Sequence, residues 1–319
     1  MNRPELDPEI SIFVDGLARA WAKHPPFMSL PIEEARRVAE QVRAPWRANG
    51  PEMGRITEHL VPTSGGELRV RLYDPGIGSP APALIYLHGG GFILFSIDTH
   101  DRLMREYAAA GNFLVLGVDY PLSPEAPYPV ALDQIVELID WLQDGGGEAL
   151  GIDPDRLAIG GDSAGGNLSV AAALRLRDRG TPDRLKCLLL NYGAFGLECS
   201  DEAEARFGGP NAVLDRAEMN HYYESYLGAD GLERPEPYAA PLTAKLGGLP
   251  PAFLAIPECD LLSEQSYAMA ERMRQAGVEV TSVVYRGATH SFLEAMSVAS
   301  VARRAIEDGA HWVREILSR

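Results

Sequence analysis

The chain has 319 residues, 46% of them hydrophobic, which is enough to bury one large α/β core or a main domain with a smaller appendage. Its formal net charge of -16 opposes binding to nucleic acid or to an anionic membrane surface, because long-range repulsion would have to be overcome locally. Cys187, Cys199 and Cys259 are odd in number and lack metal-ligand spacing, so neither a disulfide framework nor a cysteine metal site is expected.

The opening stretch MNRPELDPEISIFVDG is broken by Asp, Glu and Pro where a signal peptide needs an apolar run. No later stretch reaches about 18 uncharged apolar residues, so a cytoplasmic protein without membrane association is expected. Residues 6–49 carry apolar side chains at helical spacing, as in Ile12, Leu17, Ala20 and Trp21, then Ala35, Val38, Ala39 and Val42. Pro25 and Pro26 divide this stretch into two helices, too short to stand alone, which must pack on the rest of the chain.

From Ile56 the period changes to two. Strands are expected at 56–62 and 68–73, joined by a turn at Gly65 and Gly66. Apolar strands follow at 83–87, 113–118, 157–160, 186–191, 252–256 and 279–284, separated by helical patterns at 98–110, 129–143, 167–179, 265–276 and 298–317. Strands apolar on both faces that alternate with helices imply a mainly parallel sheet covered on both sides, with the leading hairpin as an antiparallel edge. Residues 193–250 interrupt the alternation; they are rich in Gly, Pro, Tyr and acidic residues, with a helix expected at 216–227 and no strand. An excursion of that length is expected to be a cap or binding element.

The stretch IGGDSAGGN, residues 159–167, sets Ser163 between a strand and a helix. It fits G-x-S-x-G, in which a sharp strand-to-helix reversal exposes the serine and crowds its neighbours; Gly161 and Gly165 answer that crowding. A serine hydroxyl needs a base and an acid to orient it. Of the seven histidines, His290 in RGATHSF follows the last strand, where open α/β sheets place chemistry. Asp260 ends the preceding strand and is the first choice of acid, with Glu258 and Glu264 as neighbouring rivals that could instead assist the histidine; capping of the next helix is the alternative role for Asp260. The order Ser163, Asp260, His290 is that of the α/β-hydrolases and differs from the chymotrypsin and subtilisin orders.

Directly after the strand ALIYL comes HGGGF, residues 88–92. Its glycines let backbone N–H groups approach one oxygen, so Gly90 and Gly91, with the Ala164 N–H, are the expected oxyanion donors, Gly89 shapes the turn, and His88 ties the loop down. HGGG lacks the Lys and Ser/Thr of a phosphate loop, and the chain has no dinucleotide fingerprint and no HExxH, so no cofactor and no metal are expected.

HGGGF, GDSAGG, the late aspartate and the late histidine resemble the hormone-sensitive-lipase-like family of α/β-hydrolases, and the resemblance extends through YLHGGGFILFSIDTHDR and VDYPLSPEAPYP. Within that family the sequence is most similar to the bacterial acetyl esterases, cytoplasmic enzymes that cleave short acyl esters. The resemblance implies Ser163 as nucleophile, Asp260 as acid, His290 as base and residues 89–91 (Gly89, Gly90, Gly91) as the oxyanion loop. It also implies a cap built from residues 1–50 and part of 193–250, set on a catalytic domain at 51–319. One departure is Asp260-Leu261-Leu262, where the family usually has Asp-Pro-Leu.

The expectation is therefore a serine carboxylesterase acting on a small-molecule ester, with Phe13, Trp21, Phe27, Met28, Phe92, Phe95, Phe207 and Tyr222 as candidates for an apolar pocket wall. An amidase or natural-product deacetylase would use the same triad, a long-chain lipase would want a wide apolar lid, and a noncatalytic binding module would be expected to lose a triad member. Homo-oligomerisation through an edge strand is a further expectation.

Overall fold

The computed structural model describes residues 5–209 and 212–319. Two N-terminal helices, α1 (Pro8–Trp21) and α2 (Ile32–Arg43), precede a hairpin of β1 (Arg55–Thr63) and β2 (Gly66–Asp74). Asp7 starts α1 by accepting the Glu9 N–H at 2.8 Å. The hairpin closes at Gly66, whose φ of +112° is open to glycine alone without strain. Leu68, Val70 and Leu72 of β2 face the core, while Arg69 and Arg71 point outward and pair with Glu58 of β1.

The chain then alternates strand and helix: β3 (Ala81–Leu87), α3 (Asp101–Gly111), β4 (Leu114–Val118), α4 (Val130–Trp141), a short α5 (Gly147–Leu150), β5 (Ile152–Asp162), α6 (Ala164–Asp178) and β6 (Cys187–Asn191). After α7 (Asp201–Phe207) and α8 (Arg216–Glu233) come β7 (Ala252–Cys259), α9 (Ser263–Gln275), β8 (Val280–Thr289) and α10 (Ser300–Leu317). The sheet has eight strands in the order β1-β2-β4-β3-β5-β6-β7-β8. β1, β2 and β4 pair antiparallel, and every pair from β4 onward is parallel.

Alternate residues of the central strands feed two cores. Ala83, Ile85 and Leu87 of β3 join α4 and α6 on one face, while Leu84 and Tyr86 join α1, α3 and α10 on the other. A third, smaller cluster holds the N-terminal segment down, with Phe27, Ala35 and Ala39 packed against Ile93 and Leu94.

Several boundaries differ from the sequence pattern, and two of them fix where reactive groups stand. α6 begins at Ala164, three residues before the expected start at 167, so Ser163 is the residue on which the helix opens. β8 runs to Thr289, five residues beyond the expected end at 284, so His290 stands directly at the strand's end. The excursion at 193–250 contains α7, which its acidic, Gly-bounded sequence hid, as well as the expected helix, lengthened to Glu233 across a kink at Gly228.

Candidate active site

Asp162 ends β5 and Ala164 starts α6, which leaves Ser163 alone to turn the chain, at φ 52° and ψ -116°. No ordinary L-residue basin lies there, so the backbone is strained and is held by its surroundings. The Ser163 N–H donates to the Asn191 carbonyl at 3.0 Å, and its carbonyl accepts from Ala194 at 3.1 Å. A Cβ on Gly161 or Gly165 would run into the Leu87 carbonyl oxygen, so both positions of the motif require glycine.

Asp260 follows β7 and His290 follows β8, so adjacent parallel strands carry the two groups to the same edge of the sheet as Ser163. His290 Nε2 lies 3.1 Å from Ser163 Oγ, and Nδ1 lies 2.9 Å from Asp260 Oδ2. The other Asp260 oxygen accepts the Leu262 N–H at 3.1 Å, so the carboxylate both pins the turn before α9 and faces the imidazole. Tyr192 packs its ring against His290 with centroids 5.2 Å apart. All three groups are buried. The arrangement can pass a proton from the hydroxyl to the imidazole while the carboxylate fixes the ring orientation.

Glu258 and Glu264, the rival acids, are engaged elsewhere. Glu258 accepts the Gly287 N–H at 2.9 Å. Glu264 accepts the Ser200 N–H and hydroxyl at 2.6 and 2.7 Å.

The glycine loop after β3 folds back through the Gly90 carbonyl, which accepts from Ile93 and Leu94 at 3.1 and 2.9 Å. Gly90 and Gly91 have φ of +121° and +60° and line the cleft beside Ser163, and the Tyr222 ring occupies the space that a Gly91 side chain would need. Among the described residues no acceptor takes either N–H. Ala164 supplies the first N–H of α6, at the end where helix carbonyls leave donors free and the dipole favours negative charge.

Gly89 departs from the expected oxyanion loop. Its N–H donates to Asp162 Oδ1 at 3.1 Å and so is already taken. Asp162, the unassigned residue of GDSAG, anchors the loop: it also accepts from Tyr86 at 3.0 Å and sits 3.4 Å from His100 Nε2. Burial opposes charge on both partners, yet each stabilises the other, so His100 is raised above its usual range and Asp162 is lowered. His88 stacks on Tyr120 at 4.3 Å and contacts its neighbour's carbonyl at 2.7 Å, while Tyr120 donates to the His88 carbonyl at 2.7 Å. Burial and the nearby His100 push His88 down to about 4, which makes it a neutral strut at pH 7.

The narrow cleft at Ser163, about 70 Å³, adjoins a larger cavity of about 460 Å³, and the two share Trp21, Phe27, Arg43, Val213 and Glu218. Of the candidates for the apolar wall, Trp21, Phe27, Phe92, Phe95 and Tyr222 line the cleft. The others do not. Phe13 is core, edge-on to Trp46 at 4.8 Å; Met28 lines only the outer cavity; Phe207 packs under Arg206. Besides Asp162, three charged groups that sequence patterns missed line the cleft: Arg43, Glu294 and Glu218. Glu218 was visible only as half of an Asp-x-x-Glu helix start, in which Asp215 accepts its N–H at 2.9 Å. Among the described residues no group of three or more His, Cys, Asp or Glu is placed to hold a metal ion, and no helix is long and apolar enough to cross a membrane.

Residues 84–294 match the family described as alpha/beta hydrolase fold. The chain belongs to that family, in its hormone-sensitive-lipase-like branch. Among solved structures it is similar to a hyperthermophilic esterase from the archaeon Pyrobaculum calidifontis, at 30% identity and a TM-score of 0.90 over 98% of each chain. A thermophilic and thermostable carboxylesterase cloned from a metagenomic library is 31% identical, with a TM-score of 0.86 over 91% of this chain and 99% of that one. A thermostable esterase from Pseudomonas putida is 27% identical, with a TM-score of 0.90 over 99% of both.

Proposed function

We propose that the protein is a serine carboxylesterase that hydrolyses short-chain acyl esters, from acetyl to about butyryl, through an acyl-enzyme intermediate. It is a carboxylic ester hydrolase. The observation that carries it is the relay from Asp260 through His290 to Ser163, at 2.9 and 3.1 Å, next to backbone N–H groups that have no other acceptor among the described residues.

In the proposed cycle His290 takes the Ser163 proton as Oγ attacks the ester carbonyl. Asp260 holds the imidazole and offsets its charge. Gly90, Gly91 and Ala164 donate N–H groups to the oxyanion. The imidazolium then protonates the leaving alcohol, and water activated by the same imidazole releases the acid. The narrowness of the cleft at Ser163, about 70 Å³, supports a short acyl group.

The test is a panel of acetyl, butyryl, octanoyl and palmitoyl esters with matched amides, using Ser163→Ala as the blank. The expected profile peaks at acetyl or butyryl and vanishes in the variant. A peak at palmitoyl overturns the acyl range, dominant amide cleavage overturns the reaction class, and full turnover by Ser163→Ala overturns the nucleophile.

A further inference from the structure

Most charged groups of the cleft are matched within the protein. Arg43 and Glu294 pair at 3.0 Å, Asp162 is tied to His100, Tyr86 and Gly89, and Asp260 faces His290. Glu218 is different. It accepts the Asp215 N–H at 3.2 Å and, among the described residues, forms no ion pair. It lines both the cleft at Ser163 and the adjoining cavity, where Trp21 and Phe27 are shared walls and the Tyr222 ring lies tilted beside Phe27 at 5.8 Å.

The groups around it come from several elements. Asp215 stands at the start of its own helix, Arg43 on α2 and His290 after β8; Glu294, Asp162 and Tyr222 line the same cleft, and His24 the same outer cavity. Burial first, then the Asp215 charge, push Glu218 up to about 7, against the pull of the Asp215 N–H, His290 and Arg43. Arg43 is already balanced by Glu294, so the site's uncompensated charge is negative. A carboxylate beside aromatic faces attracts a cation by charge and by ring quadrupole, and a chain of net charge -16 draws cations inward.

We propose that Glu218 is a specificity-determining residue that selects esters whose alcohol part carries an ammonium group, seated among the aromatic walls shared by the cleft and the adjoining cavity. The proposal rests on the esterase reading above and adds the charge of the substrate to it. The narrow cleft at Ser163 takes the acyl group, which leaves the wider cavity to the charged alcohol.

The test compares kcat/KM for acetylcholine and its uncharged isostere 3,3-dimethylbutyl acetate, at pH 6 and pH 8.5, in the wild type and in Glu218→Gln. Gln keeps an oxygen for the Asp215 N–H, so the helix start is preserved. The ratio of the two esters is read because effects on the chemical step are common to both and cancel. The wild type is expected to prefer the cation by about fivefold or more at pH 8.5, less so at pH 6, and the preference is expected to fall close to unity in Glu218→Gln. A wild-type ratio of one or below at pH 8.5, a ratio that does not change between the two pH values, or the same ratio in Glu218→Gln overturns the proposal. The pH change is read against Glu218→Gln, which keeps His24 and His290, so a ratio that shifts equally with pH in both proteins also overturns the proposal. Cleavage of the neutral ester without preference strikes this proposal alone, whereas cleavage of neither ester overturns the esterase reading together with it.

Discussion

Arg43, the last residue of α2, and Glu294, four residues beyond His290, form a buried ion pair at 3.0 Å that ties the N-terminal helices to the histidine turn. Their side chains are only 7% and 6% exposed, and Arg43 also lies over the Phe95 ring at 5.0 Å. Desolvation of two charges offsets much of their attraction, so the pair adds little net stability, but each partner depends on the other.

Arg43→Met is therefore expected to lower unfolding stability by about 3–5 kcal/mol, because it strands a buried carboxylate. Adding Glu294→Leu should recover most of that loss. Denaturant titrations of the single and double variants give the comparison, and a double variant no more stable than the single would show that something other than the stranded charge sets the cost.

The strain at Ser163 makes a second expectation. Its φ of 52° with ψ of -116° is a conformation that glycine adopts without penalty. Ser163→Gly sheds about 1–3 kcal/mol of strain and gains unfolded-state entropy worth about 0.5–1 kcal/mol in the opposite direction. Ser163→Ala keeps the strain. The glycine variant should thus be more stable than both wild type and the alanine variant by about 1 kcal/mol, while both variants lose ester turnover. Equal midpoints for Gly and Ala in urea would mean that the elbow is relaxed.

Ser163, Asp260 and His290 were legible because each sits at the end of an apolar run, and strand ends in a parallel sheet share one edge. The glycines of HGGG and GDSAG were legible because close backbone approach admits no Cβ. The supporting groups were not. His100 and Asp162 are 62 positions apart, Arg43 and Glu294 are 251 apart, and no spacing rule joins them. They meet through the strand order β4-β3-β5 and the docking of α2 on the histidine turn, which are properties of the assembled fold. Gly89 separates the two sources of expectation: the residue pattern gave it a turn role, the family resemblance placed it in the oxyanion loop, and the Asp162 side chain that takes its N–H favours the former. Phe13 and Phe207 mislead because an aromatic residue on an amphipathic helix looks the same whether its face meets a core or a cavity.

Glu218 gives stability a pH dependence whose sign comes from its surroundings. Burial raises its folded-state pKa from 4.5 to about 7, so the folded protein holds a proton that the unfolded chain releases at lower pH. This carboxyl's contribution is most favourable below about 4.5 and is lost as pH rises through about 7, when a charge must be carried in the cleft. The size is on the order of 2–3 kcal/mol. Glu218→Gln cannot ionise and escapes that cost. Its melting temperature relative to wild type should therefore climb by a few degrees between pH 5 and pH 8.5, with the rise falling below about pH 7 and the difference level above it. Asp162 and His100 are common to both proteins and leave the difference untouched. Melting curves of the two proteins across that range provide the check, and a difference that stays flat with pH would place Glu218 in water, ionised throughout.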